Sequence, residues 1–189
     1  MTPLDTGAAV TAGADAGVHE LFARLNVFRV LLRHPQVAGA VQGLLTTLLG
    51  GELDARLREL VILRLGWVTA SEYEWSQHWR VARYVGLTDA EIVAVREWRG
   101  AADVFNAADR AVLAAVDDTC AHGTITAGTW EEVCRALPSD AERIELVTAI
   151  GAWRMISSVA RSLEIALDDD LSAWAPDGIA PDTTSEEPQ

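Results

Sequence analysis

The stretch LDARLRELVILRLGWVTASEYEWSQHWRVARYVG, Leu53 to Gly86, decides the fold. Leu60 to Trp67 is apolar nearly all round, so this spacing predicts a helix packed on every side. A short break falls at Thr69–Ala70, and a second, amphipathic helix runs from there to Gly86. At about 100° per residue, Glu74, His78, Val81, Ala82 and Val85 share the face that should turn inward, with Ser71 and Trp75 at its edges. Glu72, Ser76, Arg80 and Arg83 fall opposite. Glu59 sits on the Ile62, Leu63 and Gly66 side of the first helix. Carboxylates and an imidazole on buried faces must find partners or shift their pKa values, which makes Glu59, Glu74 and His78 a candidate site.

Working outward, Leu21, Phe22, Leu25, Phe28 and Leu32 recur at helical spacing between Val18 and Leu32, and His34-Pro35 ends that helix. Gln36 to Leu49 reads as another, stopped by Gly50-Gly51. Downstream, Thr88-x-x-Glu91 opens a helix with a capping box, and Asn106 or Ala107 starts one that runs to about Cys120. Thr129-x-x-Glu132 opens a short helix ending before Pro138. Ser139-x-x-Glu142 caps the longest, which runs to about Leu167 with Ala149, Trp153, Ile156, Ala160, Leu163 and Leu167 inward. Strand-like alternation is absent. The expectation is an all-α, single-domain bundle of about seven or eight helices over residues 18–167. Residues 1–17 read as a flexible tail, and 168–189 as an acidic, disordered tail in which Leu171 and Trp174 are able to dock on the body or on a neighbouring subunit.

Composition narrows the classes of function. The net charge is −13, but residues 168–189 hold seven acids and no base, leaving −6 for the rest. All fifteen basic residues are arginine, and no basic stripe exists to hold phosphates, which disfavours nucleic acid. No apolar run reaches the roughly 18 residues that span a bilayer, and no secretory signal is visible. Cys120 and Cys134 are far apart and frame no disulfide pattern. A cytoplasmic protein with reduced thiols is expected.

The run RLRELVILRLGWVTASEYEWSQHWRVARYVGLTDAEI resembles the carboxymuconolactone decarboxylase and alkylhydroperoxidase D-like proteins, a family of small all-helical chains. The likeness extends over residues 19–167 and is specific in the central stretch. The family's peroxidase branch carries a glutamate, then a Cys-x-x-Cys pair, then a histidine four residues after the second cysteine. Glu59 and His78 match; Ser71 and Glu74 stand where the cysteines would be. Thiol peroxidase chemistry needs a thiolate nucleophile and a resolving thiol, and this pair supplies neither. The resemblance implies assembly into trimers or hexamers and cofactor-independent acid–base chemistry, decarboxylation or isomerisation, on a small cyclic lactone or carboxylic acid. His78 would shuttle the proton with help from Glu59 or Glu74.

Each residue also has a plainer reading. Ser71 and Glu74 fit Ser-x-x-Glu at a helix start, which is a capping box without chemistry. Glu59 suits a structural ion pair with Arg56 or Arg64, and His78 a silent core histidine. Ser71, Tyr73 and Arg154 are the substrate-binding candidates, Arg154 by a forked grip on a carboxylate. Trp67, Trp75, Trp79 and Trp153 serve a pocket or, more simply, packing. No metal site is expected from one histidine among carboxylates. The competing readings of the whole are a non-catalytic, oligomeric ligand-binding or interaction protein that kept the fold after losing its thiols and, more weakly, residual alkylhydroperoxidase-like redox function through Cys120 or Cys134.

Overall fold

A computed structural model describes residues 1–101 and 103–182, and all regular structure in them is helical. The central element is α5 (Ala55–Val68), in which Leu60 to Leu63 and Leu65 are wholly buried. Its start is capped by Asp54, whose carboxylate accepts from the Arg56 and Leu57 amides. Numbered in chain order around it, α1 (Thr6–Ala16), α2 (Glu20–Ala23), α3 (Asn26–Leu31) and α4 (Pro35–Leu49) precede it. After it come α6 (Glu72–Tyr84), α7 (Asp89–Ala94), a 3₁₀ turn (Val95–Gly100), α8 (Ala107–His122), α9 (Ala127–Ala136) and α10 (Asp140–Ser162). α6, α8, α10 and the 3₁₀ turn all pack on α5.

α6 approaches α5 closely. A Cβ on Gly66 would lie 2.9 Å from the Trp75 amide nitrogen, so only glycine lets the two backbones meet. Between them Ala70 adopts φ +50°, and the Ser71 amide returns to the Gly66 carbonyl at 2.8 Å. This turn is the break expected at Thr69–Ala70. The capping boxes at Thr88–Glu91 and Ser139–Glu142 are formed, as is one at Asn106–Asp109. α9 starts one turn earlier than expected: Thr126 is its cap and accepts from the Thr129 amide.

Three boundaries differ from the sequence expectation. The first concerns residues 1–17, where α1 is a capped helix packed on α4, with Ala9 and Gly13 buried. Its small residues, which resemble a low-complexity tail, are what permits close approach: a Cβ on Gly13 would meet that of Ala23 at 3.0 Å, and one on Gly39 the Ala16 carbonyl at 2.9 Å. The second is the helix expected over Val18–Leu32, which is split because Leu25 is extended. Asn26 is drawn to the far end of the chain, its amide N–H donating to Asp168 and its side chain to the carbonyls of Ala166 and Leu167.

The third is the C-terminal segment. α10 stops at Ser162 and the chain turns back, so Leu163 and Leu167 are not part of its stripe. Residues 168–182 form a strap across α6. Asp168 accepts from the Tyr73 hydroxyl at 3.0 Å, Ser76 Oγ accepts from the Trp174 amide at 3.1 Å, and Trp75 Nε1 donates to the Ala175 carbonyl at 2.7 Å. Arg96 makes two bonds to Asp177 and lies over the rings of Trp67 and Trp75, beside which Trp174 is buried. The face of α6 that carries Ser76 is therefore covered rather than solvated. The remainder of the expected disordered tail, residues 183–189, lies outside the described residues.

Candidate active site

Glu59 on α5 and His78 on α6 meet across the close helix pair: His78 Nδ1 and Glu59 Oε2 are 2.7 Å apart, and Glu59 is fully buried. Neither Arg56 nor Arg64 serves Glu59. Arg56 pairs with Glu91 and Asp109, and Arg64 with Asp117. The cation beside Glu59 is its neighbour Arg58, whose Nε lies 3.4 Å from Oε1 and whose terminal nitrogen donates to the Leu49 carbonyl. On the other side of the imidazole, Trp153 Nε1 on α10 donates to His78 Nε2 at 3.1 Å. A neutral His78 satisfying both contacts carries its proton on Nδ1, donates it to Glu59, and accepts from the indole at Nε2.

Glu74, one turn before His78, is also buried, and its Oε2 lies 3.9 Å from His78 Nε2 with no hydrogen-bond partner. Burial, reinforced by the charge of Glu59 and opposed by His78, pushes its carboxyl up to about 7. For His78, burial acts to lower the pKa, but the charge and hydrogen bond of Glu59, with the charge of Glu74, raise it net above the ordinary value. Protonating Nε2 additionally requires the Trp153 N–H to let go, since both would then be donors.

These groups form the polar edge of a cavity of about 230 Å³. Its wall is apolar, contributed by Phe22, Leu25 and Phe28 from the N-terminal helices, Leu45 from α4, Val81 from α6 and Ile156 from α10. Gln77 also lines it, with a buried Oε1 that lacks a partner. The spacing of the sequence does not mark Gln77, because it sits between the two faces of α6 and only the fold shows which way the edge turns.

The substrate-binding candidates divide. The Tyr73 ring lines the cavity, but its hydroxyl is committed, donating to Asp168 and accepting from the Val27 amide. Ser71 is buried elsewhere, in a small cleft against the end of α10. It occupies the cap position of α6 without a side-chain cap bond, so the expected Ser71–Glu74 capping box is not formed. Arg154 is exposed, donates to the Thr119 carbonyl, and belongs to a separate surface groove with Thr69 and Arg161. It lies outside the cavity because it is the residue after Trp153, about 100° round the helix from the inward stripe. Of the four tryptophans, Trp153 alone faces the cavity. Cys120 and Cys134 are free, neither lines it, and burial pushes the Cys120 thiol up, with Arg154 opposing and Asp117 adding. Among the described residues no three His, Cys, Asp or Glu side chains are grouped to hold a metal, and no helix is long and apolar enough to cross a membrane.

Fold and site together define an alkylhydroperoxidase D-like helical bundle in which carboxylates and an imidazole occupy the centre. The model of the carboxymuconolactone decarboxylase family matches residues 35–118, the segment from α4 through most of α8 that holds Glu59, Glu74 and His78. Over that segment the chain is similar to the carboxymuconolactone decarboxylase family, with Ser71 and Glu74 at the positions of the Cys-x-x-Cys pair. Among solved structures, a candidate AhpD antioxidant-defence protein of unknown function from Agrobacterium tumefaciens superimposes with a TM-score of 0.67 at 23% identity, over 73% of this chain and 94% of that one. A variant of the debrominase Bmp8, in complex with 2,3,4-tribromopyrrole, gives 0.68 at 17% identity, over 89% and 91%. An uncharacterised peroxidase-related protein from Silicibacter sp. gives 0.71 at 15% identity, over 89% and 93%. At these identities the likeness is one of fold. A comparison with curated proteins finds no match.

Proposed function

We propose that this protein is a cofactor-independent acid–base enzyme, acting by decarboxylation or isomerisation on a small cyclic lactone or carboxylic acid, and that it assembles as a trimer or hexamer. The observation that carries the reading is Glu74: a carboxyl at the edge of an apolar cavity, with one oxygen unpartnered and a pKa near neutrality. In the ionised form it takes a proton from a ring carbon next to a carbonyl, and the electron pair moves onto that carbonyl oxygen. The proton then returns at another carbon, leaving an isomer with no net oxidation. His78, held by Glu59 and Trp153, is the neighbour through which the charge on Glu74 is balanced as the proton moves.

One observation favours a non-catalytic, ligand-binding reading instead. Both ring nitrogens of His78 are already engaged, which is how a structural histidine is held. The two readings separate by proton NMR in D₂O, following exchange of carbon-bound hydrogens in small cyclic lactones and ketones, with size-exclusion light scattering for assembly. The enzyme reading expects exchange that Glu74→Gln abolishes and His78→Ala reduces by about 10²-fold or more. Unchanged exchange in folded, assembled variants removes the catalytic role.

A further inference from the structure

We infer that the cavity selects an uncharged single-ring ligand bearing a carbonyl or hydroxyl group, and rejects the carboxylate of the same shape. This narrows the substrate class of the acid–base reading above and rests on that reading for the identity of the site. Size is the first argument. An apolar cavity of about 150 Å³ holds a benzene molecule, so about 230 Å³ suits one ring with a small substituent. Phe22, Phe28 and the Trp153 indole offer ring edges and faces to such a ligand.

Charge is the second argument. The ionisable groups that border the cavity include Glu74 and His78, and no arginine lines it. Arg58 lies behind, committed to Glu59 and the Leu49 carbonyl, and Arg154 is in another groove. A ligand carboxylate would be desolvated beside two buried carboxyl groups, and the one cationic group at this edge, His78 when protonated, is already paired with Glu59 and covered at Nε2 by Trp153. A neutral ring meets complementary groups instead. Its carbonyl accepts from protonated Glu74 Oε2, and a hydroxyl donates to Gln77 Oε1, the two buried oxygens at this edge that lack partners.

Titration calorimetry of the full chain at neutral pH, with benzyl alcohol against benzoate and δ-valerolactone against its ring-opened hydroxy acid, tests this. The neutral member of each pair should bind at least about tenfold tighter. Val81→Trp, which fills the cavity, should abolish binding while leaving the far-ultraviolet circular dichroism unchanged. Should that variant not fold, Glu74→Gln tests the same point by removing the charge: neutral rings should hold within a few-fold, and the penalty on benzoate should shrink. Benzoate binding as tightly as benzyl alcohol overturns the inference, as does the absence of binding by any of the four. Binding of neutral rings without hydrogen exchange leaves the inference standing and defeats the enzyme reading. Turnover of a carboxylate does the reverse.

Discussion

At the scale of single residues, the carboxyl of Glu74 is the cavity-edge group whose acidity departs clearly from its behaviour in water. A carboxyl held at about 7 in the fold, against an ordinary 4.5, costs about 3 kcal/mol once both states are ionised. Between those values the folded chain binds more protons than the unfolded one, so stability falls as pH rises through the window. His78, also raised, adds to the fall in the same direction above its ordinary 6.5. Urea unfolding should therefore show wild type losing stability from pH 5 to pH 8, and Glu74→Gln losing about 2–3 kcal/mol less over that range. Equal slopes for the two would mean that the Glu74 carboxyl titrates in the fold as it does in the unfolded chain. Ser71 offers a second test at this scale. Its hydroxyl is buried without a partner and caps nothing, so Ser71→Ala should be neutral or stabilising by about 0.5–1 kcal/mol in the same assay. A loss of about 1 kcal/mol, as removal of a working cap causes, would restore the capping reading.

Between elements, the crossing of α5 and α6 sets the site, since it brings Glu59 within 2.7 Å of His78. Gly66 permits that crossing. Gly66→Ala forces a methyl against the Trp75 backbone and should cost about 1–3 kcal/mol, read as a fall of several degrees in Tm. Gly43, on α4, has open space where its Cβ would be. Gly43→Ala is the matched control and should raise stability by about 0.5–1 kcal/mol, because alanine is the better helix former. If both variants behaved alike, the helix contact would not be the reason for glycine at position 66.

For the whole molecule, the strap of residues 168–182 crosses the back of α6 and joins it to Asn26 at the start of α3 and to Arg96. Trp174 is 8% exposed and completes a cluster with Trp67, Trp75 and Arg96. Trp174→Ala should cost about 3 kcal/mol or more, measured by urea unfolding, since a buried indole is replaced by a void. A chain ending at Leu167 should show a red-shifted tryptophan emission as Trp75 gains water. Emission and stability unchanged in both would mean that the strap does not hold the bundle in solution.

What the sequence by itself determined is local and periodic. The apolar run of α5, the amphipathic face of α6 and the Thr88 and Ser139 capping boxes follow from side-chain spacing within a few turns, and so does the candidacy of Glu59, Glu74 and His78. Partner choice was not legible, because it depends on which distant residue arrives opposite. Trp153 reaches His78 from 75 positions away, Arg58 rather than Arg56 or Arg64 serves Glu59, and Arg154 is turned out into another groove. The order of the terminal segments is illegible for the same reason: an Ala- and Gly-rich helix and an acidic strap carry little hydrophobic pattern, and the surfaces that order them are made only when the bundle has folded.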